Sequence, residues 1–200
     1  MNNPGRAWAA LAALLMLASA AGLWLPANLL DWQPEQAFNQ PWRAFTAAFV
    51  HWSDRHLSAN LFAAAVVGAY GWAAQLPRAQ AWAWFAAWPL SHALLLLRPE
   101  LLHYGGLSGM LHGGVAITCL HLMARAQGGR RVVGALVSLG LLIKLASETP
   151  WGPALQRSEE WDIAVVPLAH TTGALAGLLC GALALWLTRS RPPIDEEQDT

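Results

Sequence analysis

A chain of 200 residues that is 56% hydrophobic, only 12% charged and rich in tryptophan (twelve) has the composition of a protein solvated by lipid, which excludes an ordinary water-soluble domain. Its formal net charge is zero, so it lacks the basic footprint of a nucleic-acid binder. Cys119 and Cys180 both fall in apolar runs, where thiols pack as small hydrophobes and imply no disulfide framework.

A bilayer core takes about 20 apolar residues of helix to cross, because every backbone polar group must be satisfied internally. Six runs meet that need, and the sequence predicts an all-α membrane protein of six transmembrane helices. The first run, 7–25, carries no charge. Arg6 and the Ala18-Ser19-Ala20 stretch also fit a signal peptide, but the run continues to Leu25, longer than a usual signal core, and a span is expected. Residues 26–55 form a long, irregular connection in which AFTAAFV, just after Pro41, predicts a short helix lying in the interface. Such a helix would serve either as a cap on the loop or as a contact for substrate.

The second run is predicted at about 57–74, the third at 81–97, the fourth at 107–124, the fifth at 132–146 and the sixth at 163–187. Trp24, Trp32, Trp42, Trp72, Trp82, Trp151, Trp161 and Trp186 gather near the predicted ends, where amphipathic rings favour the headgroup layer. Residues 1–188 read as one membrane domain, and 189–200, ending in DEEQDT, as a disordered tail. With a cytoplasmic N-terminus, the inner loops and ends hold Arg6, Arg78, Arg125, Arg130, Arg131, Arg189 and Arg191. The outer side holds Arg43, Arg55, Arg98, Lys144 and Arg157. The basic excess faces inward, so both termini are expected in the cytoplasm.

Strongly polar groups inside a span are expensive to place and point to function by default. His56 and Asn60, in HLSAN, stand at i and i+4 on one face of the second run, both able to donate hydrogen bonds to a negative oxygen. An interhelical hydrogen bond would use the same pair. Ser108 opens the fourth run within YGGLSGMLHGG, flanked by Gly105, Gly106 and Gly109 and by His103 and His112. The glycines let the backbone approach a substrate closely, with Gly106 and Gly109 giving it room, and leave an amide free at a helix start, although serine between glycines also serves plain helix packing. His170 lies in the outer half of the sixth run, and Gly173, Gly177 and Gly181 follow it as a small-residue strip that would draw this helix against another. If that other helix is the fourth, His170 reaches Ser108. Lys144 and Glu148, in KLASE, read as an i, i+4 salt bridge with a structural role. A nucleophile candidate, a base candidate and two further donors thus emerge on the same outer side. No metal-ligand spacing or phosphate loop accompanies them, so no metal or cofactor is expected, and peptide-bond chemistry is the simplest account.

At this point the sequence resembles the rhomboid family of intramembrane serine proteases. PWRAFTAAFVHWSDRHLSANLF is similar to the family's first loop and HxxxN helix, YGGLSG to its GxSG and AHTTGALAG to its HxxGxxxG. The resemblance implies a rhomboid-like six-helix bundle with Ser108 as nucleophile and His170 as the general base that later protonates the leaving amine. It implies an oxyanion hole of His56, Asn60 and the Ser108 amide, shaped by Gly106, with Gly173 and Gly177 in support, and a dyad with no acidic third member. His112 departs from the usual pattern, which has a tyrosine there stacking on the catalytic histidine; an imidazole stacks too but also titrates. YGGLSGMLHGG together with KLASE, the short length and the expected lack of a soluble domain are most similar to the rhombosortase branch. That branch implies a bacterial inner-membrane enzyme that cuts the C-terminal transmembrane tails of exported proteins, tails with a Gly-Gly motif and a basic end, by hydrolysis or by transfer to another acceptor. Its partners would be membrane lipid and those tails. The competing readings are a general rhomboid protease, a rhomboid-like pseudoprotease that binds transmembrane helices, and a small transporter.

Overall fold

Six long helices occupy the six apolar runs. The computed structural model describes residues 3–157 and 159–189; apart from Arg189, the tail expected to be disordered lies outside them. Among the described residues there are eight α-helices and no strand: α1 (Arg6–Gly22), α2 (Ala27–Leu30), α3 (Arg43–Thr46), α4 (Asp54–Ala73), α5 (Arg78–Ala93), α6 (Ser108–Arg125), α7 (Gly128–Ser147) and α8 (Pro167–Leu187). Of these, α8 is the one long and apolar enough to cross a membrane on its own composition. Polar residues dilute α4, α6 and α7, while α1 and α5 are shorter, at 17 and 16 residues. Leu17, Leu136, Leu139, Leu142 and Leu179 are exposed along the bundle's outside, more apolar surface than a soluble monomer shows.

Six helix ends meet on one side. The Gly5 amide donates to the Leu76 carbonyl at 2.9 Å, Arg130 donates to Ala74 O at 2.7 Å and Arg125 to Leu185 O at 3.0 Å. The start of α1, the α4–α5 and α6–α7 turns and the end of α8 therefore share one end of the bundle, and most of the arginines expected inside lie there. The opposite end carries the starts of α4, α6 and α8 and the end of α7.

The core is built around two tryptophans. Trp8 of α1 and Trp84 of α5 are fully buried and stack at 4.3 Å between ring centroids. Each indole N–H finds a backbone carbonyl, Val67 O for Trp8 and Met110 O for Trp84, both at 2.9 Å, as a buried donor requires. Trp32, expected near a membrane interface, is instead buried and forms a bridge with Tyr104; an aromatic in this connection has a protein neighbour to cover it.

The sixth helix starts at Pro167 rather than near Ile163. Proline suits the first helical position and keeps the residue before it extended. Val166 is accordingly non-helical, with φ −116° and ψ 87°, and Val165 pairs with Gln156 in an antiparallel bridge.

AFTAAFV forms α3 and a 3-10 turn at Ala47–Phe49. Ala44, Ala47 and Ala48 are buried, and α5 grips this segment, with Trp88 Nε1 donating to Phe45 O at 3.1 Å and His92 Nδ1 lying 2.6 Å from Ala44 O. Of the two roles open to the segment, these contacts are those of a cap. Arg43 in turn ion-pairs with Asp31 at 2.9 Å, both side chains nearly inaccessible, and also donates to Asp31 O and Asn28 O.

Candidate active site

Two glycine rows bring α6 and α8 together. A Cβ added at Gly113 would sit 2.8 Å from the Gly173 carbonyl oxygen, and one at Gly109 would sit 2.7 Å from Ala169 O. On the other side, a Cβ at Gly173 would run into Gly109, and one at Gly177 into Gly113. Gly109, which reads in the sequence as room for substrate, therefore belongs to this seam. The helices pack backbone to backbone, as small residues permit.

The seam sets the first turn of α6 beside that of α8. Ser108 Oγ lies 3.0 Å from His170 Nε2. His112, one turn along α6, stacks on His170 with ring centroids 4.2 Å apart and planes within 16°. Its own Nδ1 lies 2.6 Å from the Ser108 carbonyl, which accepts, so Nδ1 carries the hydrogen and the ring is tied to the turn that presents Ser108.

α4 brings two more groups to the same place. Ser53 caps the helix by accepting from the His56 amide at 3.1 Å, which fixes where His56 leaves the backbone. Asn60 donates to the His56 carbonyl at 3.0 Å, and both side chains are buried. Gly106 adopts φ +126°, and a Cβ there would lie 2.7 Å from His56 Nε2. Glycine is needed for the backbone angle and for the approach of the imidazole. His56, Asn60, Ser108, His112 and His170 line one cavity of about 460 Å³. The structure thus brings these five side chains to a single site at one end of the bundle, while Gly173 and Gly177 lie in the seam between α6 and α8.

Two residues take up contacts that the sequence reading did not expect. His170 Nδ1 lies 2.7 Å from Glu148 Oε2, while Glu148 Oε1 accepts from Lys144 Nζ. An acid therefore stands where none was expected, on the side of the imidazole away from Ser108. Partial burial acts to raise the Glu148 carboxyl, but the hydrogen bonds and charges of His170 and Lys144 outweigh it and hold it at about 2. His103, in the connection before α6, has Nδ1 2.5 Å from Asp31 Oδ2 and ties that connection to the Asp31–Arg43 pair. Beside the site, burial of the His51 ring pushes it down to about 4 against the opposing hydrogen bond to Phe49, so it is neutral at physiological pH. Among the described residues no cluster of histidine, cysteine or carboxylate side chains has the arrangement of a metal site.

A hydroxyl on an imidazole nitrogen, facing a cavity lined by further donors at one end of an all-helical bundle, is an arrangement that can support serine-type chemistry on a carbonyl group. The family model for the rhomboid domain matches residues 38–187, and the chain belongs to the rhomboid family, integral membrane proteins that include serine intramembrane proteases. No curated protein matches the chain.

Proposed function

We propose that the protein is an intramembrane serine endopeptidase whose nucleophile is Ser108 and whose general base is His170. The observation that carries this reading is the 3.0 Å approach of Ser108 Oγ to His170 Nε2 in a cavity that also holds His56 and Asn60. Nε2 takes the hydroxyl proton as Oγ bonds to the scissile carbonyl carbon. The carbonyl electron pair moves onto oxygen, where His56, Asn60 and the Ser108 amide donate to it. When the C–N bond breaks, the imidazolium returns its proton to the leaving amine. Water, or the amine of an acceptor, then resolves the acyl-enzyme.

In this reading all six long helices span the bilayer, both termini are cytoplasmic and the site opens toward the outer face. Substrate enters between α4 and α7; α7 packs chiefly on α6 and has few contacts with α4, which leaves a side entrance. The substrate class is the C-terminal transmembrane tail of exported proteins with a Gly-Gly motif, the rhombosortase specificity. A Gly-Gly segment unwinds at little cost because glycine is a poor helix former, and its lack of side chains suits a narrow site.

The test is intact-mass analysis of exported proteins in cells with the parent chain or Ser108→Ala. The expected result is a C-terminal mass change confined to Gly-Gly-tailed proteins and abolished by the substitution. Processing that survives Ser108→Ala sinks the protease assignment, and mass changes on tails without Gly-Gly sink the narrower specificity. Reaction of Ser108 with a fluorophosphonate separates the enzyme from a helix-binding pseudoprotease, which would not label.

A further inference from the structure

We propose that Glu148 is the third member of the proton-transfer unit, a positioning residue that fixes the tautomer and ring of His170 while Lys144 holds its carboxylate in place. The inference rests on the protease reading above and extends its pair of residues to a chain of four, Ser108–His170–Glu148–Lys144.

The geometry has three parts. First, both imidazole nitrogens are used, Nε2 toward Ser108 Oγ at 3.0 Å and Nδ1 toward Glu148 Oε2 at 2.7 Å. An ionised carboxylate accepts and cannot donate, so Nδ1 carries the hydrogen and Nε2 presents its lone pair to the serine hydroxyl. That is the tautomer a general base needs, and the opposite one would point a hydrogen at the nucleophile. Second, both carboxylate oxygens are used, Oε1 by Lys144 and Oε2 by His170. A lysine–glutamate pair one helical turn apart would be a surface bridge of small value by itself; here its second oxygen is spent on the imidazole. Third, the ring is held on a face as well as at its edges, since His112 lies against it.

When Nε2 accepts the serine proton, the new positive charge on His170 faces the Glu148 carboxylate across one hydrogen bond. No proton moves to Glu148, whose native affinity for one is low. The other polar side chains on the wall of the cavity that His170 shares include Ser108 and His112 from α6, His56 and Asn60 from α4, Lys144 from α7, and His103, Tyr104 and Glu160 from the connections. Lys144 offsets part of the Glu148 charge. A fall in kcat of about 100-fold is therefore expected when the charge is removed, at the low end of what general-base catalysis contributes.

The experiment uses the full chain in lipid vesicles and a fluorescent reporter protein fused to a Gly-Gly segment, a transmembrane helix and a basic end. Glu148→Gln keeps the shape and removes the charge; it is expected to lower kcat about 100-fold at unchanged KM, whereas Glu148→Asp restores part of the rate. Lys144→Met, which leaves the carboxylate, lowers kcat by less. The ¹⁵N shifts of His170 give a second readout that does not depend on turnover. They should report Nδ1–H in the parent and lose that preference in Glu148→Gln. A Glu148→Gln protein with parental kcat, or with an unchanged Nδ1–H signature, overturns the proposal while leaving Ser108 and His170 in place. Cleavage that survives Ser108→Ala removes the underlying reading and this one with it.

Discussion

Replacing Gly113 by alanine tests whether the glycine seam sets the distance between serine and histidine. The added Cβ would stand 2.8 Å from the Gly173 carbonyl oxygen; a comfortable carbon–oxygen contact is about 3.4 Å, so the helices must part by roughly 0.6 Å there. Gly113 lies about 7.5 Å along the axis from Ser108, close enough that α6 cannot relieve the clash without moving its first turn. Added to the 3.0 Å between Ser108 Oγ and His170 Nε2, the same displacement gives a separation of about 3.6 Å, outside hydrogen-bond range. Overpacking of this kind costs about 1–3 kcal/mol, and a misplacement approaching 1 Å at a reacting pair lowers the rate by up to about 100-fold. The assays are thermal unfolding in detergent and reporter cleavage in vesicles, with Gly140→Ala as control because a Cβ there meets nothing within 4 Å. Gly113→Ala should lose both stability and kcat. A variant with parental melting and parental kcat would refute the claim that close backbone packing positions the site.

Gly106→Ala combines an unfavourable φ of +126° with a Cβ 2.7 Å from His56 Nε2; reporter cleavage should fall at least about 10-fold, while melting, read in parallel, changes by less than for Gly113→Ala. Arg43→Ala leaves Asp31 buried and without its main partner, a loss of about 3–5 kcal/mol for an ion pair of this kind, visible as a lower melting temperature. Acid should weaken the fold through Glu148. Its native value of about 2 lies below the reference of 4.5, so the unfolded chain binds the proton more readily, and the stabilisation is complete above about pH 4.5 and lost as pH falls toward 2. Melting measured from about pH 6 down to pH 3 should drop, and Glu148→Gln should flatten part of that slope.

The six helices were legible because long apolar runs have few other uses, and each predicted run overlaps a helix. The end of α5 shows the limit, since the predicted run to 97 continues past Ala93 only as a 3-10 turn at Leu94–Leu97. The start of α8 moved because one proline outweighs four apolar residues before it. Ser108, His170, His56 and Asn60 stood out as polar groups in apolar surroundings. Glu148 did not, because Lys144 four residues earlier already accounts for it locally; its bond to His170, 22 residues away on another helix, depends on how α7 and α8 are joined. Asp31, Arg43 and His103 were hidden for the same reason, being spread over 72 positions with no periodicity to link them. In sequence a glycine beside a serine looks alike whether it faces a substrate or, as Gly109 does, a neighbouring backbone.

The division of the site among α4, α6, α7 and α8 has a consequence for the order of events during synthesis. Ser108 and Glu148 both emerge from the ribosome before His170, whose imidazole each of them meets in the folded chain. The imidazole arrives on the final helix, and it meets the serine only when Gly173 and Gly177 slide against Gly109 and Gly113. In the proposed mechanism a chain still being inserted lacks its general base, and the docking of α8 on α6 is what completes the pair.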